Sequence, residues 1–300
     1  MPKLRKPRKK RSPAGRAEAH PENSSVPAAG FGALPGMITP GAIKSEEEHR
    51  HDICAAGHWL LERGFIVATE GNISVRLDAR RILVSPTGLC KGRMASEDLV
   101  VVDLDGQRLS GTRGASSELA MHLLIYRRRP DVNAVCHAHP PVATGYAAAG
   151  LPLDKALLSE VVITLGAIPL APYGTPGTNE LPETLEPLVE NHDAILMANH
   201  GVVTCGPDLL TACYRMETTE HFARVSLVTE LLGKQSLLSR EHVKKLLAAR
   251  ARYGLPSAPG SGALPLAAEN LAPGDPLITL THEELTVLID DAVRNDRGRR

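Results

Sequence analysis

The chain has 300 residues, of which 43% are hydrophobic and 23% are charged, as is usual for a soluble globular protein and unlike a disordered one. This length suits one large domain or two small ones, and no apolar run approaches the roughly 18 residues of a membrane span. The formal net charge is zero, but residues 1–16 hold eight basic and no acidic residues, so the rest of the chain is acidic. An acidic body argues against specific nucleic-acid binding.

The composition divides the chain into four parts. Residues 1–43 begin with the basic run and continue rich in Pro, Gly, Ala and Ser, so we expect a disordered basic lead-in rather than a secretory signal. Residues 254–276 have the same character and are predicted to be a linker. Residues 277–300 contain a capping signal and an amphipathic pattern, which predict a short C-terminal helix and a basic tail. The folded body is therefore predicted over residues 44–253.

The first half of this body alternates helical and strand patterns. Ser45 and Glu48 form a capping box, which predicts a helix that ends at Gly64. Four β-rich runs follow, and Asp105-Gly106 predicts a hairpin turn within the last of them. These runs are FIVAT (65–69), ISVRL (73–77), RILVSP (81–86) and LVVVDLDGQRL (99–109).

The second half continues the alternation. Ser116 and Ser117 precede a helix that is predicted to run through Tyr126. Strands are predicted for NAVCHAH and AILMANHGVVTC. One helix is predicted between these two runs and two helices after them. The helices are predicted at 178–192, 207–232 and 241–252. We therefore expect an α/β layer fold around a mostly antiparallel sheet.

Two histidines on a predicted strand form the sharpest local signal. His137 and His139 are two positions apart, so their imidazoles point to the same side of a strand and can chelate one cation. His200 ends another apolar run, and the following Gly201 predicts a tight turn that presents it. Three histidines without a cysteine partner are the ligand set of a catalytic zinc or a similar divalent ion.

Three turns carry small polar residues. Ser116, Ser117 and Glu118 stand where a helix begins, and helix N-termini bind anions. By itself this run is more simply explained as a helix cap. The turns at 71–72 and 85–88 also have small residues whose backbone can approach a phosphate closely. Together the turns and the histidines indicate a phosphorylated substrate that carries a carbonyl group.

Five segments of this body together resemble the class II aldolase/adducin family, whose type enzymes are L-fuculose-1-phosphate aldolase and L-ribulose-5-phosphate 4-epimerase. They follow the family's order and approximate spacing, and the resemblance covers about residues 45–235. It implies a three-layer α/β/α fold with a central, mostly antiparallel sheet. It also implies a homotetramer with four-fold symmetry and active sites near subunit interfaces. The segments are GNISVR, SPTGL, SSELAMHLLIYRRRPDVNAVCHAHP, APYGTPGTNEL and ILMANHG.

The resemblance also implies roles for individual residues. His137, His139 and His200 match the zinc ligands, although another divalent metal is an alternative. Glu118 matches the catalytic carboxylate, which is also a fourth metal ligand when no substrate is bound. Five residues match the positions that bind the substrate phosphate, namely Asn72, Thr87, Gly88, Ser116 and Ser117. The other histidines lack such a match. His122 is interpreted as a packed helix residue, and three more histidines as surface residues, namely His58, His192 and His221.

The implied activity is that of a carbon–carbon lyase. Cleavage of a ketose 1-phosphate would give dihydroxyacetone phosphate and an aldehyde through a zinc-stabilised enediolate, with Glu118 as acid and base. A short sugar phosphate, such as a 5-deoxypentulose 1-phosphate in a salvage pathway, is the expected substrate. Five cysteines without a C-x-x-C pair argue against a disulfide framework, so we expect a cytoplasmic enzyme.

The sequence departs from the fuculose-phosphate enzyme at two positions. An ungapped register places Leu158 where that enzyme has a catalytic tyrosine, and Pro176 where it has a phenylalanine near the aldehyde end of the substrate. L-fuculose 1-phosphate is therefore not the expected substrate. Glu160, 21 residues after His139, is a candidate second acid or base, because dehydratases acting on methylthioribulose 1-phosphate place a glutamate nearby; an exposed residue is the equal alternative.

Two other functions stay open. A sugar-phosphate dehydratase of the methylthioribulose type would use the same metal site to eliminate water. An adducin-like scaffold would keep the fold without a metal, but adducin heads lack the histidines that are present here. An epimerase is disfavoured because Glu118 stands where epimerases usually carry an aspartate.

Overall fold

The computed structural model describes residues 44–253 together with residue 255 and residues 265–268. The predicted lead-in at 1–43, most of the predicted linker and the predicted C-terminal helix at 277–300 lie outside the described residues. The four-part division of the chain therefore stays a prediction. In the described part, no helix is long and apolar enough to cross a membrane.

Helices flank a sheet in the described part of the chain. The first begins at the predicted capping box, in which Ser45 and Glu48 bond reciprocally, and it ends before Gly64, which has φ 67°. The next α-helix follows Ser116 and Ser117, as the sequence predicts. The α-helices are α1 (Glu46–Glu62), α2 (Leu119–Arg128), α3 (Pro141–Ala148), α4 (Ser159–Thr164), α5 (Glu180–Val189), α6 (Leu209–Leu231) and α7 (Arg240–Ala249).

The strands form one eight-stranded sheet in the order β4-β3-β2-β1-β5-β8-β7-β6. All neighbouring strands are antiparallel except β6 and β7, so the predicted fold class is confirmed. The predicted hairpin at Asp105-Gly106 joins β3 to β4. The strands are β1 (Asn72–Arg76), β2 (Arg81–Val84), β3 (Val100–Asp103), β4 (Arg108–Ser110), β5 (Ala134–Ala138), β6 (Leu170–Ala171), β7 (Ala194–Met197) and β8 (Gly201–Gly206).

Each face of the sheet packs on a different set of helices. One apolar cluster joins the sheet to α1, α3 and α6, and a second joins its other face to α2 and α5. On β5, Ala134, Cys136 and Ala138 face the first cluster while Val135 faces the second, as expected from the two-residue period of a strand. These two clusters produce the three-layer α/β/α arrangement.

Two strand predictions are wrong in detail. FIVAT forms no strand, because Phe65 and Ile66 turn into the core beneath α1 and Ala68 takes φ 51° in a turn. The predicted strand AILMANHGVVTC is two strands, β7 and β8, joined by a turn at 198–200. In both cases an apolar run is interrupted by a tight turn, and at 198–200 this is the turn that Gly201 predicts.

Candidate metal centre and active site

Two strand-borne histidines begin the site. His137 lies on β5 with none of its surface exposed, opposite Asn72 of β1 and Val203 of β8. His139 follows the end of β5, and the Nε2 atoms of the two rings are 3.1 Å apart. The alternation rule thus predicts correctly that the two imidazoles share one side.

A tight turn brings the third histidine to the pair. His200 lies between β7 and β8, and its backbone N–H donates to the Met197 carbonyl at 3.0 Å. Asn199 adopts φ 55°, a left-handed conformation that asparagine tolerates better than most residues. At Gly201 a Cβ atom would lie 2.5 Å from Cδ2 of His139 and 2.7 Å from the Ala138 carbonyl, so only glycine leaves room for the His139 ring.

The three imidazoles converge on one point. His137, His139 and His200 each offer a ligand atom, and these atoms lie within 4.8 Å of one another. The ring centroids are separated by 4.7–5.1 Å. Three residues that are up to 63 positions apart in sequence therefore form one cluster that can hold a metal ion.

Glu118 closes the cluster. It precedes α2, and its carboxylate lies 3.2 Å from Nε2 of His137 and 3.0 Å from Nε2 of His200. Burial by itself raises the pKa of this carboxyl group, but the adjacent histidines outweigh burial and hold the pKa well below its ordinary value. Glu118 therefore presents an ionised carboxylate to the histidines.

Hydrogen bonds at Nδ1 orient two of the rings so that Nε2 faces the cluster. Nδ1 of His137 faces the Val202 carbonyl at 2.8 Å, and since a carbonyl only accepts, Nδ1 carries the proton. Nδ1 of His139 faces the Glu70 carboxylate at 3.0 Å in the same way. Burial, with the charges of His137 and His200, lowers the pKa of His139 to about 4, so its ring is neutral at pH 7. Imidazoles oriented by second partners beside a carboxylate fit a divalent metal.

The residues that the resemblance assigns to a phosphate group come together around Glu118. Asn72 is buried and donates from Nδ2 to Oε2 of Glu118 at 2.6 Å. The segments 85–88 and 114–117 lie side by side, because Thr87 N–H donates to the Gly114 carbonyl and Ser116 N–H to the Ser85 carbonyl. The exposed members of these segments are Thr87, Gly88, Gly114 and Ser117.

Two polar residues near these turns were missed by the sequence reasoning. Glu70 reaches His139, and Lys91 is buried with Nζ donating to the carbonyls of Thr69 and Leu89 at 2.7 and 2.8 Å. Burial lowers the pKa of the Lys91 ammonium group. Lys91 thereby ties the turn before Asn72 to the turn after Gly88. Neither residue belongs to a recognisable motif, so only their position beside the predicted turns could have indicated them.

The histidines outside the cluster differ in their burial. His58 and His221 are exposed, as predicted, but His192 is buried, so its assignment to the surface is wrong. The ring of His192 packs under the end of α5, where Nδ1 donates to the Leu188 carbonyl at 2.9 Å. His122 is a fully buried helix residue, as predicted, and burial lowers its pKa to about 3.

Glu160 lies apart from the cluster within one chain. It is exposed in the first turn of α4, and in the described part of the chain no hydrogen bond or ion pair joins its carboxylate to the histidines. Pro176 is exposed as well, and Leu158 is half-buried just before α4. The structure of one chain thus brings together the three histidines, Glu118 and Asn72, and leaves Glu160 on the surface.

Known proteins resemble this chain over about two thirds of its length. A 3-oxo-tetronate 4-phosphate decarboxylase from Pectobacterium atrosepticum is 34% identical over 194 residues, which is 63% of this chain and 88% of that protein. A 5-deoxy-D-ribulose 1-phosphate aldolase from Bacillus thuringiensis serovar kurstaki is 32% identical over 210 residues, 69% and 98% of the two chains. A solved L-fuculose 1-phosphate aldolase superposes with a TM-score of 0.65 at 28% identity, covering 72% of this chain and 100% of that one.

The family model described as "Class II Aldolase and Adducin N-terminal domain" matches residues 51–227, which contain all of the clustered residues. The aldolases among the relatives and solved structures confirm the expectation of an aldolase-type enzyme, a lyase. This match over more than half of the chain shows that the protein belongs to the class II aldolase and adducin N-terminal domain family.

Proposed function

We propose that this enzyme is a zinc-dependent aldolase that cleaves a ketose 1-phosphate to dihydroxyacetone phosphate and an aldehyde. The observation that carries the proposal is the convergence of His137, His139 and His200 on one point with the Glu118 carboxylate against them. The relative named 5-deoxy-D-ribulose 1-phosphate aldolase supports a short deoxy sugar phosphate as substrate.

In this proposal the three histidines would hold the zinc, and Glu118 would be a fourth ligand when no substrate is bound. A divalent cation at this place supplies Lewis-acid stabilisation for the negative charge that develops on the substrate when its carbon–carbon bond breaks. The Val202 carbonyl and the Glu70 carboxylate keep the rings of His137 and His139 oriented, so their Nε2 atoms stay turned to the centre.

The polar turns bind the substrate phosphate. Thr87, Gly88 and Ser117 are exposed beside the start of α2, where backbone N–H groups and the helix dipole favour an anion. Ser116 and Asn72 complete the set from buried positions next to Glu118. An anchored phosphate fixes the position of the rest of the substrate relative to Glu118, which lowers the entropic part of the barrier.

Glu118 moves the proton. Its carboxylate is ionised, and it accepts a proton in one direction of the reaction and returns it in the other. Its position between two histidines and the Asn72 amide fixes both oxygens. We therefore expect Glu118→Gln to lower kcat by about a hundredfold or more, because a general acid–base contributes typically 10²–10⁴-fold.

We further propose a cytoplasmic homotetramer, in keeping with the five free cysteines and with the family resemblance. If Glu160 is a second acid or base, it acts in such an assembly, since it is exposed within one chain. Light scattering of the purified protein measures its oligomeric state. The kcat of Glu160→Gln tests the catalytic role of Glu160, and a kcat equal to that of the unaltered enzyme would leave Glu160 as a surface residue.

Decarboxylation is the second candidate, favoured by the relative named 3-oxo-tetronate 4-phosphate decarboxylase. Loss of carbon dioxide and aldol cleavage both break a carbon–carbon bond and leave negative charge on the remaining fragment. The same cluster of histidines and Glu118 therefore suits both reactions, and the identity of the leaving fragment separates them.

Product analysis by mass spectrometry decides between the candidates. Zinc-loaded enzyme is incubated with a panel of ketose 1-phosphates and 3-oxo acid 4-phosphates, with Glu118→Gln as the inactive control. Dihydroxyacetone phosphate with an aldehyde supports the aldolase. Carbon dioxide from an oxo acid identifies a decarboxylase, and an uncleaved product lighter by one water identifies a dehydratase. A protein that binds no zinc when zinc is added and turns over none of the substrates favours a scaffold.

A further inference from the structure

A chain of buried hydrogen bonds leads from the core to Glu118. Tyr126 Oη lies 2.8 Å from Ser74 Oγ, and Ser74 Oγ lies 2.6 Å from Nδ1 of His122. Nε2 of His122 lies 2.5 Å from Oδ1 of Asn72, and Asn72 Nδ2 lies 2.6 Å from Oε2 of Glu118. The four residues behind Glu118 are each at most 3% exposed.

The chain follows from how α2 and β1 face each other. Glu118, His122 and Tyr126 are spaced by four residues, so they lie along one side of the helix. Asn72 and Ser74 are two apart on β1 and point to the same face of the sheet. A polar stripe of the helix therefore lies on a polar stripe of the strand.

The direction of each bond is determined by the carboxylate. An ionised carboxylate only accepts, so Asn72 turns its NH₂ group towards Glu118 and its amide oxygen towards His122. Nε2 of His122 must then donate, and in a neutral ring Nδ1 accepts the Ser74 hydroxyl proton. The Tyr126 hydroxyl in turn donates to Ser74. Each of the four bonds then has one donor and one acceptor, and only this orientation provides that.

From this geometry we infer that His122 is a positioning residue: it holds the Asn72 amide in the orientation that fixes the Glu118 carboxylate against the metal site. This inference rests on the proposed function, which makes Glu118 the acid–base group and a metal ligand. Without the His122 donor, the Asn72 amide is free to rotate and to present its oxygen to Glu118, which would repel the carboxylate.

The inference predicts coupling between His122 and Asn72 in metal binding. We expect His122→Phe, which fills the volume but has no ring nitrogen, to weaken the zinc Kd about tenfold, as changes behind metal ligands typically do. Asn72→Ala should weaken zinc binding similarly, and adding His122→Phe to Asn72→Ala should have no further effect. Competition with a chromophoric chelator measures the zinc Kd of all four proteins without any substrate.

Controls separate positioning from stability. His192 is another buried histidine that is bonded to a backbone carbonyl, so His192→Phe should lower Tm while leaving the zinc Kd unchanged. His122→Gln retains a side-chain donor and should recover part of the zinc affinity. If His122→Phe does not fold, His122→Leu, which also lacks a donor, takes its place in the cycle.

The outcomes are separable from those of the proposed function. Two results would overturn the inference while the zinc site stands. In the first, the effects of His122→Phe and Asn72→Ala on the zinc Kd multiply in the double variant. In the second, both His122 variants keep a zinc Kd within twofold of that of the unaltered protein. Coupled effects with no turnover on the substrate panel would support the inference and reject the proposed substrate. Unaltered protein that binds no zinc would overturn both.

Discussion

At the residue scale, the site depends on a residue without a side chain, Gly201, as well as on the side chains that line it. Gly201 has ordinary backbone dihedrals, so its role is space rather than conformational freedom. The ring of His139 occupies the volume that any Cβ at position 201 would take. His200 and His139 can therefore approach each other only because residue 201 has no side chain.

Gly201→Ala should consequently displace the His139 ring. We expect the metal dissociation constant to rise about tenfold or more, with kcat falling in parallel, as measured by chelator competition and a turnover assay. Gly145→Ala is the matched control, because a Cβ there would meet no atom within 4 Å. Equal metal affinity in the two alanine variants would show that the His139 ring tolerates the intrusion.

The sequence predicts the convergence of the three histidines, but not the residues that support them. The strand period places His137 beside His139, and the Asn-His-Gly turn presents His200, so both are local signals. Glu70 and Lys91 act through groups that only the fold brings near, and neither has a spacing that singles it out. His192 is predicted at the surface but is buried, because its burial depends on packing that a single sequence does not specify.

At the scale of elements, a buried charge fixes one helix to another. The Glu220 side chain, on α6, is 2% exposed and accepts hydrogen bonds from the backbone N–H groups of Val142 and Ala143 at the start of α3. Arg224 pairs with the same carboxylate. Glu220 thus satisfies helix donors that have no partner within the helix itself.

Glu220→Gln should lower the free energy of unfolding by about 1–3 kcal/mol, since one carboxylate oxygen is replaced by a donor facing other donors. Denaturant unfolding followed by circular dichroism measures the change. Glu241→Gln, which removes an exposed ion pair with Lys245, should change stability by about 0.5 kcal/mol or less. Similar losses in both variants would contradict a specific role for Glu220.

Elements were predicted best where their signals are local. Ser45 and Glu48 mark the start of α1, and Asp105-Gly106 marks the β3–β4 hairpin, because caps and turns are short-range structures. FIVAT was mispredicted because β-branched and aromatic residues equally suit a buried turn, as Phe65 does against Trp59 with ring centroids 5.9 Å apart. Residue preference alone cannot distinguish a strand from a buried turn, because it does not reveal the packing partner, which is Trp59 here.

At the scale of the whole molecule, the histidine cluster joins parts of the chain that are distant in sequence. β5 supplies His137, the β7–β8 turn supplies His200, and Glu118 belongs to the start of α2. A ligand that binds only the folded state stabilises it, by about 2.7 kcal/mol at a hundredfold excess over Kd. Metal binding should therefore stabilise the entire domain rather than one loop.

Removal of the metal should lower Tm. We expect treatment with a chelator to shift the thermal transition down by several degrees, and added zinc to restore it, as followed by calorimetry. The His200→Ala variant provides the control, because its transition should respond little to either addition. A chelator-induced shift of equal size in His200→Ala would place the bound metal elsewhere.

The most direct measurement is the metal content of the purified protein, determined by inductively coupled plasma mass spectrometry and expressed per chain. The account predicts close to one divalent ion for the unaltered protein, and a large loss of that ion in His200→Ala while the fold is retained by circular dichroism. A well-folded protein without stoichiometric metal, or a His200→Ala variant that keeps the full complement, would contradict the assignment of the three histidines as one metal site.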